Sequence, residues 1–208
     1  MAYRLPRDCV KGADILSSVA LALLLTTALA IAGFLATSAQ GFLLAARLTE
    51  ASPVARGLVG QHVLWAIPAV LLSLFSQSMV IFYFIGTGRL VKDEIAGYPE
   101  AERNSILAVL RRLKRQTSPP ATFSLLSAVG VFVLGGAVHT RALPSWTHLA
   151  ASVAAVVLHL WAFGAEWKAF AENNRLMDEP MRYAEKALGA GRSALGGENS
   201  REGIVPQR

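Results

Sequence analysis

Four polar side chains recur at nearly regular spacing in an apolar segment of the second half of the chain. His148, His159, Glu166 and Asn173 lie 11, 7 and 7 residues apart. A helix turns by about 100° per residue, so each of these steps ends within about 20° of a whole number of turns, and all four side chains would lie along one stripe of a helix. Imidazole and carboxyl groups ligate metals and transfer protons, and lipid offers them no hydrogen-bond partner. We therefore expect this stripe, His159 and Glu166 above all, to face protein rather than lipid.

A second polar stripe lies in the apolar segment around residues 62–85. It carries His62, Ser73 and Gln77, and Ser76, Tyr83 and Thr87 lie beside it. Two facing stripes of this kind could hold a haem, a quinone or a proton path, because polar groups inside a membrane often mark functional sites. The structural alternative is a hydrogen-bonded staple between the two helices.

The composition places both stripes in a membrane protein. Of the 208 residues, 53% are hydrophobic and 16% are charged, whereas soluble domains carry about 25% charged residues. Four apolar segments are long enough to cross a hydrocarbon core of roughly 30 Å as helices. We predict an all-α polytopic membrane protein, a four-transmembrane-helix bundle with a short cytoplasmic surface helix. The spans are expected at about residues 15–36, 62–85, 121–138 and 146–168.

The distribution of lysine and arginine predicts the orientation. Of the 20 basic residues, 17 lie in the N-terminal lead (1–14), between spans two and three, or from Lys168, at the end of span four, onward. Basic loops stay in the cytoplasm, so we expect both termini inside, in a bacterial inner membrane. The net charge of +6 is then explained by the basic residues that flank the spans, and we predict no nucleic-acid partner. The membrane domain would cover residues 15–175, and a mostly disordered cytoplasmic tail would cover residues 176–208.

The connection between spans two and three contains a basic amphipathic segment. Residues 99–116 begin with a proline and two glutamates and end in a basic cluster, which is the favourable sense for a helix dipole. We expect this helix to lie on the membrane surface with its apolar face inward and to stop at residues 117–120, before the third span. The predicted contacts with anionic lipid headgroups are Arg111, Arg112, Lys114 and Arg115.

Three histidines share one level in this topology, at the outer face. His62 begins span two, His139 ends span three and His148 begins span four. Three imidazoles at one depth could bind a transition metal, or two could ligate a haem iron; alternatively, each caps a helix end. If a cofactor is bound, we expect one haem b or metal ion in the outer half. Its ligands would be His62 and one of His139, His148 and His159.

The sequence contains no complete catalytic motif. It has no GxSxG, no HExxH and no paired-carboxylate arrangement, and Cys9 is its single cysteine. We therefore assign no catalytic residue. The leading hypothesis is a non-catalytic accessory subunit that docks to other membrane proteins. The alternatives are an electron-transfer protein with one haem b or metal ion near the outer face, and a quinone-binding or transport component. The intramembrane polar candidates are Ser73, Gln77, Tyr83, Glu166 and Asn173.

Overall fold

The chain folds into four long helices. The computed structural model describes the backbone of residues 6–47 and 53–199 and the side chains of residues 15–44 and 57–177. The predicted all-α class is confirmed for this part of the chain. The helices are α1 (Pro6–Arg47), α2 (Pro53–Glu94), α3 (Glu100–His139) and α4 (Ser145–Asn199), and a 3₁₀ turn (Ile95–Gly97) follows α2.

Each helix contains a segment that is long and apolar enough to cross a membrane. These segments are Ile15–Leu44, Gly57–Gly97, Glu100–His139 and Ser145–Met177. All four exceed the predicted spans, because each helix continues past its apolar stretch into polar flanking residues. At a rise of about 1.5 Å per residue, a helix of the length of α3 measures about 60 Å, roughly twice the hydrocarbon thickness of a bilayer.

The four helices pack in a ring that follows the chain order. α1 packs against α2 and α4, and α3 also packs against α2 and α4, so α2 and α4 lie diagonally across the bundle. Buried positions on α4 recur at spacings of three and four residues, which is typical of knobs-into-holes packing in left-handed bundles. The repeat alternates small and polar side chains: Ala155, His159, Ala162, Glu166, Ala169 and Asn173.

The distribution of polarity is the reverse of that in a soluble domain. Large apolar side chains cover the outside, and Leu25, Leu64, Phe82 and Trp161 are each at least 50% exposed. Soluble proteins rarely expose contiguous apolar patches larger than a few hundred Å². The outer surface therefore suits contact with hydrocarbon. The interior, in contrast, buries twelve polar side chains among the described residues: Thr27, Thr37, Ser73, Ser76, Gln77, Thr87, Thr117, Ser124, Ser152, His159, Glu166 and Asn173.

The predicted helix end before the third span is wrong. α3 runs without interruption through Pro119 and Pro120. A proline inside a helix removes the hydrogen bond to the carbonyl four residues earlier, and here both carbonyls belong to exposed residues. Leu113 before the prolines and Ala121 after them are almost fully buried. Packing on both sides of the prolines therefore favours one continuous helix.

The basic amphipathic segment is the first half of α3, not a separate surface helix. Its apolar face packs against residues of α2, of the 3₁₀ turn and of α4. Of its basic residues, Arg112 forms an ion pair with Glu172 of α4, while Arg111, Lys114 and Arg115 are exposed. The residues in this contact are Ile106, Val109, Leu110 and Leu113 of α3, with Val91, Ile95, Ala169 and Leu176.

The ends of the chain also differ from the expectation. α4 continues to Asn199, where the sequence predicted a short helix at most and then disorder. Ten of the 24 residues in 176–199 are alanine, leucine or glutamate, which favour helices, although the segment also contains four glycines and one proline. α1 begins at Pro6, inside the predicted N-terminal lead. The last part of the predicted tail, residues 200–208, lies outside the described residues.

Candidate functional site in the bundle interior

The polar stripe of α4 faces the interior of the protein. His159, Glu166 and Asn173 are each 0% exposed, as the spacing predicts. At seven-residue intervals on a helix, they follow one another at about 10 Å along the bundle axis. Their partners come from α2, which lies diagonally across the bundle, and from α1. These three levels form a polar column through the bundle.

At the first level, His159 is bonded through both ring nitrogens. Its Nδ1 lies 2.7 Å from the carbonyl oxygen of Ala155, so Nδ1 must donate. Its Nε2 lies 2.6 Å from the hydroxyl oxygen of Ser73, and in the neutral imidazole the serine donates this bond. The ring of Phe34 packs against the imidazole, with centroids 4.6 Å apart. His159 is thus a staple between α2 and α4.

At the second level, three buried polar side chains lie close together. Glu166 of α4 faces Gln77 of α2 and Thr27 of α1, and all three are 0% exposed. The amide of Gln77 and the hydroxyl of Thr27 lie close enough to interact with the carboxyl group of Glu166, but no pair of atoms in these three side chains has the geometry of a fully formed hydrogen bond. We call these three residues the Glu166 cluster. It is the least satisfied part of the polar column.

At the third level, Tyr83 and Asn173 form a second staple. The amide nitrogen of Asn173 donates to the hydroxyl of Tyr83 over 3.2 Å. The hydroxyl of Thr87 lies 3.4 Å from the amide oxygen of Asn173. The hydroxyl of Tyr83 lies 3.5 Å from the carbonyl oxygen of Leu16 in α1. This level therefore connects α1, α2 and α4.

The three histidines predicted to lie at one level, His62, His139 and His148, are only partly brought together. The rings of His62 and His148 meet edge to face with centroids 6.2 Å apart, and each has a buried Nδ1 without a partner. His139 is exposed at the end of α3. His62 lies against Gly41. His148 lies so close to Gly135 that a Cβ atom added at Gly135 would be 3.1 Å from Cε1 of His148.

Thr27 is the member of the site that the sequence did not reveal. A single threonine in an apolar helix normally bonds to its own backbone and carries no signal of a site. In the structure, Thr27 continues the series of buried residues on α1, after Ala20 and Leu23 and before Ala30. The only trace of this in the sequence is the spacing of three and four residues. The contacts of Gly41 with His62 and of Gly135 with His148 were also missed, because glycine is common in membrane helices and does not by itself indicate a site.

A groove lies outside the column, between α3 and α4. It has a volume of about 560 Å³ and is lined by Val109, Trp167, Lys168, Ala171, Glu172, Arg175 and Leu176. Trp167 is 58% exposed. The carboxylate of Glu172 is paired with Arg112, so Lys168 and Arg175 have no acidic partner among the described residues. The groove combines an apolar floor with two free positive charges.

The geometry separates three chemical roles. Both staples consist of satisfied hydrogen bonds. The Glu166 cluster holds a buried acid that forms no ion pair with a described residue, and His62 and His148 each offer one free nitrogen. Among the described side chains, no group of three or more histidine, cysteine, aspartate or glutamate residues is arranged to hold a metal ion. Comparison of the chain with protein-family models, curated proteins and solved structures finds no match.

Proposed function

We propose that this chain is a non-catalytic integral membrane protein that serves as an accessory subunit of a larger membrane complex. It would cross a bacterial inner membrane four times, with both termini in the cytoplasm. The apolar outer surface supports the membrane location. The basic residues in the first half of α3 and from Lys168 onward in α4 support the orientation, and exposed Arg111, Lys114 and Arg115 would contact anionic headgroups.

The groove between α3 and α4 is the observation that carries the accessory role. It lies where the apolar part of α4 gives way to charged residues, with exposed Trp167 beside Lys168 and Arg175. Tryptophan and arginine are enriched at interface hot spots. The partner that fits is a transmembrane helix of another protein with an acidic residue at the cytoplasmic membrane boundary. The charge would complement Lys168 and Arg175, and the apolar part would cover Val109 and Leu176.

Site-specific photocrosslinking in native membranes tests this function. A photoreactive phenylalanine analogue replaces Ala171 in the groove, and the same analogue replaces lipid-facing Leu25 as a matched control. We expect a crosslinked product of discrete mass from position 171 only. The double substitution Lys168→Glu and Arg175→Glu should abolish it, because reversed charge repels an acidic partner.

Two results would contradict the accessory role at this groove. One is a product of the same mass from position 25, which would show crowding in the membrane rather than docking. The other is a product that persists unchanged after charge reversal. The size of the complex in mild detergent provides an independent measurement, since it should fall in the charge-reversed variant and stay unchanged in the singly labelled protein.

The outer histidines favour a second candidate function, electron transfer through one haem b or metal ion. His62 and His148 lie close together, and both carry a free buried Nδ1. They would be the ligands, in preference to exposed His139 and to His159, whose nitrogens are both bonded. A bound group of this kind would supply one-electron chemistry near the outer face.

A reduced-minus-oxidised absorbance spectrum of purified protein tests this second function. We expect a haem band that is lost in His62→Ala and in His148→Ala and retained in His139→Ala. If the bound group is a metal ion instead, the metal content of the purified protein should fall in the first two variants and be retained in the third. A spectrum without a haem band, together with a metal content that these substitutions leave unchanged, would remove the candidate.

A further inference from the structure

A second, smaller groove lies between α2 and α3. It has a volume of about 240 Å³. On one side α2 lines it with the apolar side chains of Val80, Ile81 and Phe84. On the other side α3 lines it with Lys114, Thr117 and Ser118. One wall of the groove is therefore apolar and the other is polar, which suits an amphipathic ligand.

The polar wall offers donors to an anion. Lys114 is exposed and forms no ion pair with any residue that the structure describes. Ser118 lies one turn further along the same face of α3, so its hydroxyl and the ammonium group both line the groove. The hydroxyl of Thr117, in contrast, is bonded to the carbonyl oxygen of Leu113. Lys114 and Ser118 are thus the groups that suit a phosphate, which accepts charge-assisted hydrogen bonds.

The two walls lie at different depths in the membrane. α2 and α3 are antiparallel neighbours, and Val91 and Leu113 belong to one buried cluster, so Lys114 lies near the level of Val91. Val80 comes 11 residues before Val91, which places it about 16 Å deeper at a rise of 1.5 Å per residue. Half of a hydrocarbon core of roughly 30 Å is about 15 Å. The groove therefore extends from the charged boundary across about one leaflet.

We propose that the groove between α2 and α3 binds one anionic phospholipid, a role that goes beyond an accessory subunit and does not involve the groove between α3 and α4. The phosphate would bind Lys114 and Ser118, and one acyl chain would lie along Phe84 and Ile81 towards Val80. In the proposed orientation this site lies in the cytoplasmic leaflet, whose anionic lipids attract basic segments at the membrane surface.

Charge and size favour this occupant over others. Arg111 and Arg115 are exposed within one turn of Lys114, so the site attracts an anionic headgroup and repels the amine of a zwitterionic one. The groove has about 240 Å³, against about 560 Å³ for the groove between α3 and α4. A helix with its side chains is about 10 Å wide, so one acyl chain suits the smaller groove better than a partner helix.

Native mass spectrometry of the purified full chain tests the site. The protein is released from detergent with added phosphatidylglycerol or phosphatidylcholine of identical acyl chains, and the dissociation constant of the first bound lipid is measured. We expect phosphatidylglycerol to bind at least about fivefold more tightly, because one basic residue near an anionic surface contributes about that factor. Inorganic phosphate should not displace it, since the acyl chain also contributes to binding.

Matched variants separate the groove from the general surface charge. Lys114→Gln should weaken phosphatidylglycerol binding about fivefold. Arg115→Gln removes the same charge from a residue that does not line the groove and should have a smaller effect. Ile81→Trp fills the apolar wall and should also weaken binding, whereas Phe82→Trp, at a side chain that is 64% exposed, should not.

The melting temperature of the unaltered protein covers the case in which a variant does not fold. A ligand that binds only the folded state raises it, so phosphatidylglycerol should raise it more than phosphatidylcholine does. The proposal is overturned by equal effects or equal affinities of the two lipids, by equal losses in Lys114→Gln and Arg115→Gln, by unchanged binding in Ile81→Trp, or by displacement with inorganic phosphate. Lys114→Gln should leave the crosslink from position 171 unchanged, so the lipid site and the accessory role are tested separately.

Discussion

The hydrogen bond between Ser73 and His159 can be tested by removing the serine hydroxyl. Both side chains are 0% exposed, and the bond joins Ser73 Oγ to His159 Nε2 over 2.6 Å. Ser73→Ala leaves this nitrogen buried without a donor, which costs about 1–3 kcal/mol in soluble proteins. Measured hydrogen-bond couplings between membrane helices average about 0.6 and reach about 1.7 kcal/mol. We therefore expect a loss in unfolding free energy of about 1–2 kcal/mol.

The assay is equilibrium unfolding in mixed micelles with increasing denaturing detergent. A double-mutant cycle with His159→Leu isolates the pair, and we expect a coupling between about 0.6 and 1.7 kcal/mol. Ser76→Ala is the matched control, because Ser76 is equally buried on the same helix but bonds only to the backbone of Ser73. Equal losses for the two serine variants, with a coupling indistinguishable from zero, would refute the staple.

Two further predictions concern packing and orientation. Gly33→Ala should destabilise the protein by about 1–3 kcal/mol in the same assay, because a Cβ at Gly33 would lie 3.0 Å from the Cβ of Ala69 in α2. Gly130→Ala is the control and should be neutral or stabilising, because a Cβ at Gly130 meets nothing within 4 Å. Equal losses of stability in Gly33→Ala and Gly130→Ala would contradict the close approach of α1 and α2. Reporter fusions after Gly88 should give cytoplasmic signals, since the following segment is basic; a periplasmic signal would reverse the proposed orientation.

Much of the fold was accessible from the sequence because it depends on local patterns. Runs of apolar residues identified the four long helices, and the seven-residue spacing of His159, Glu166 and Asn173 identified the face of α4 that is buried. The predicted break in α3 failed because proline was judged by its effect on an isolated helix. In the protein, contacts of Leu113 and Ala121 with neighbouring helices offset the lost backbone bonds.

The pairing of side chains within the site was not accessible. Which residue of α2 meets which residue of α4 depends on the rotation and axial position of two helices that are not adjacent in the ring. The sequence therefore indicated that the polar groups of α2, Ser73 and Gln77 among them, would meet His159 and Glu166, without showing which residue meets which. Thr27 was missed because nothing in a single hydroxyl distinguishes a bonded threonine from a free one.

The even spacing of the α4 stripe has a consequence for how the bundle finds its register. A helix with polar groups every seven residues resembles itself after a shift of about 10 Å, so α4 alone could pack in several axial positions. Ser73, Gln77 and Tyr83 on α2 lie 4 and 6 residues apart and do not repeat at that interval. A sliding of α4 by one repeat would therefore separate both bonded pairs, Ser73 with His159 and Tyr83 with Asn173. The mismatch between a periodic helix and an aperiodic partner selects a single alignment, as one buried polar residue does in a coiled coil.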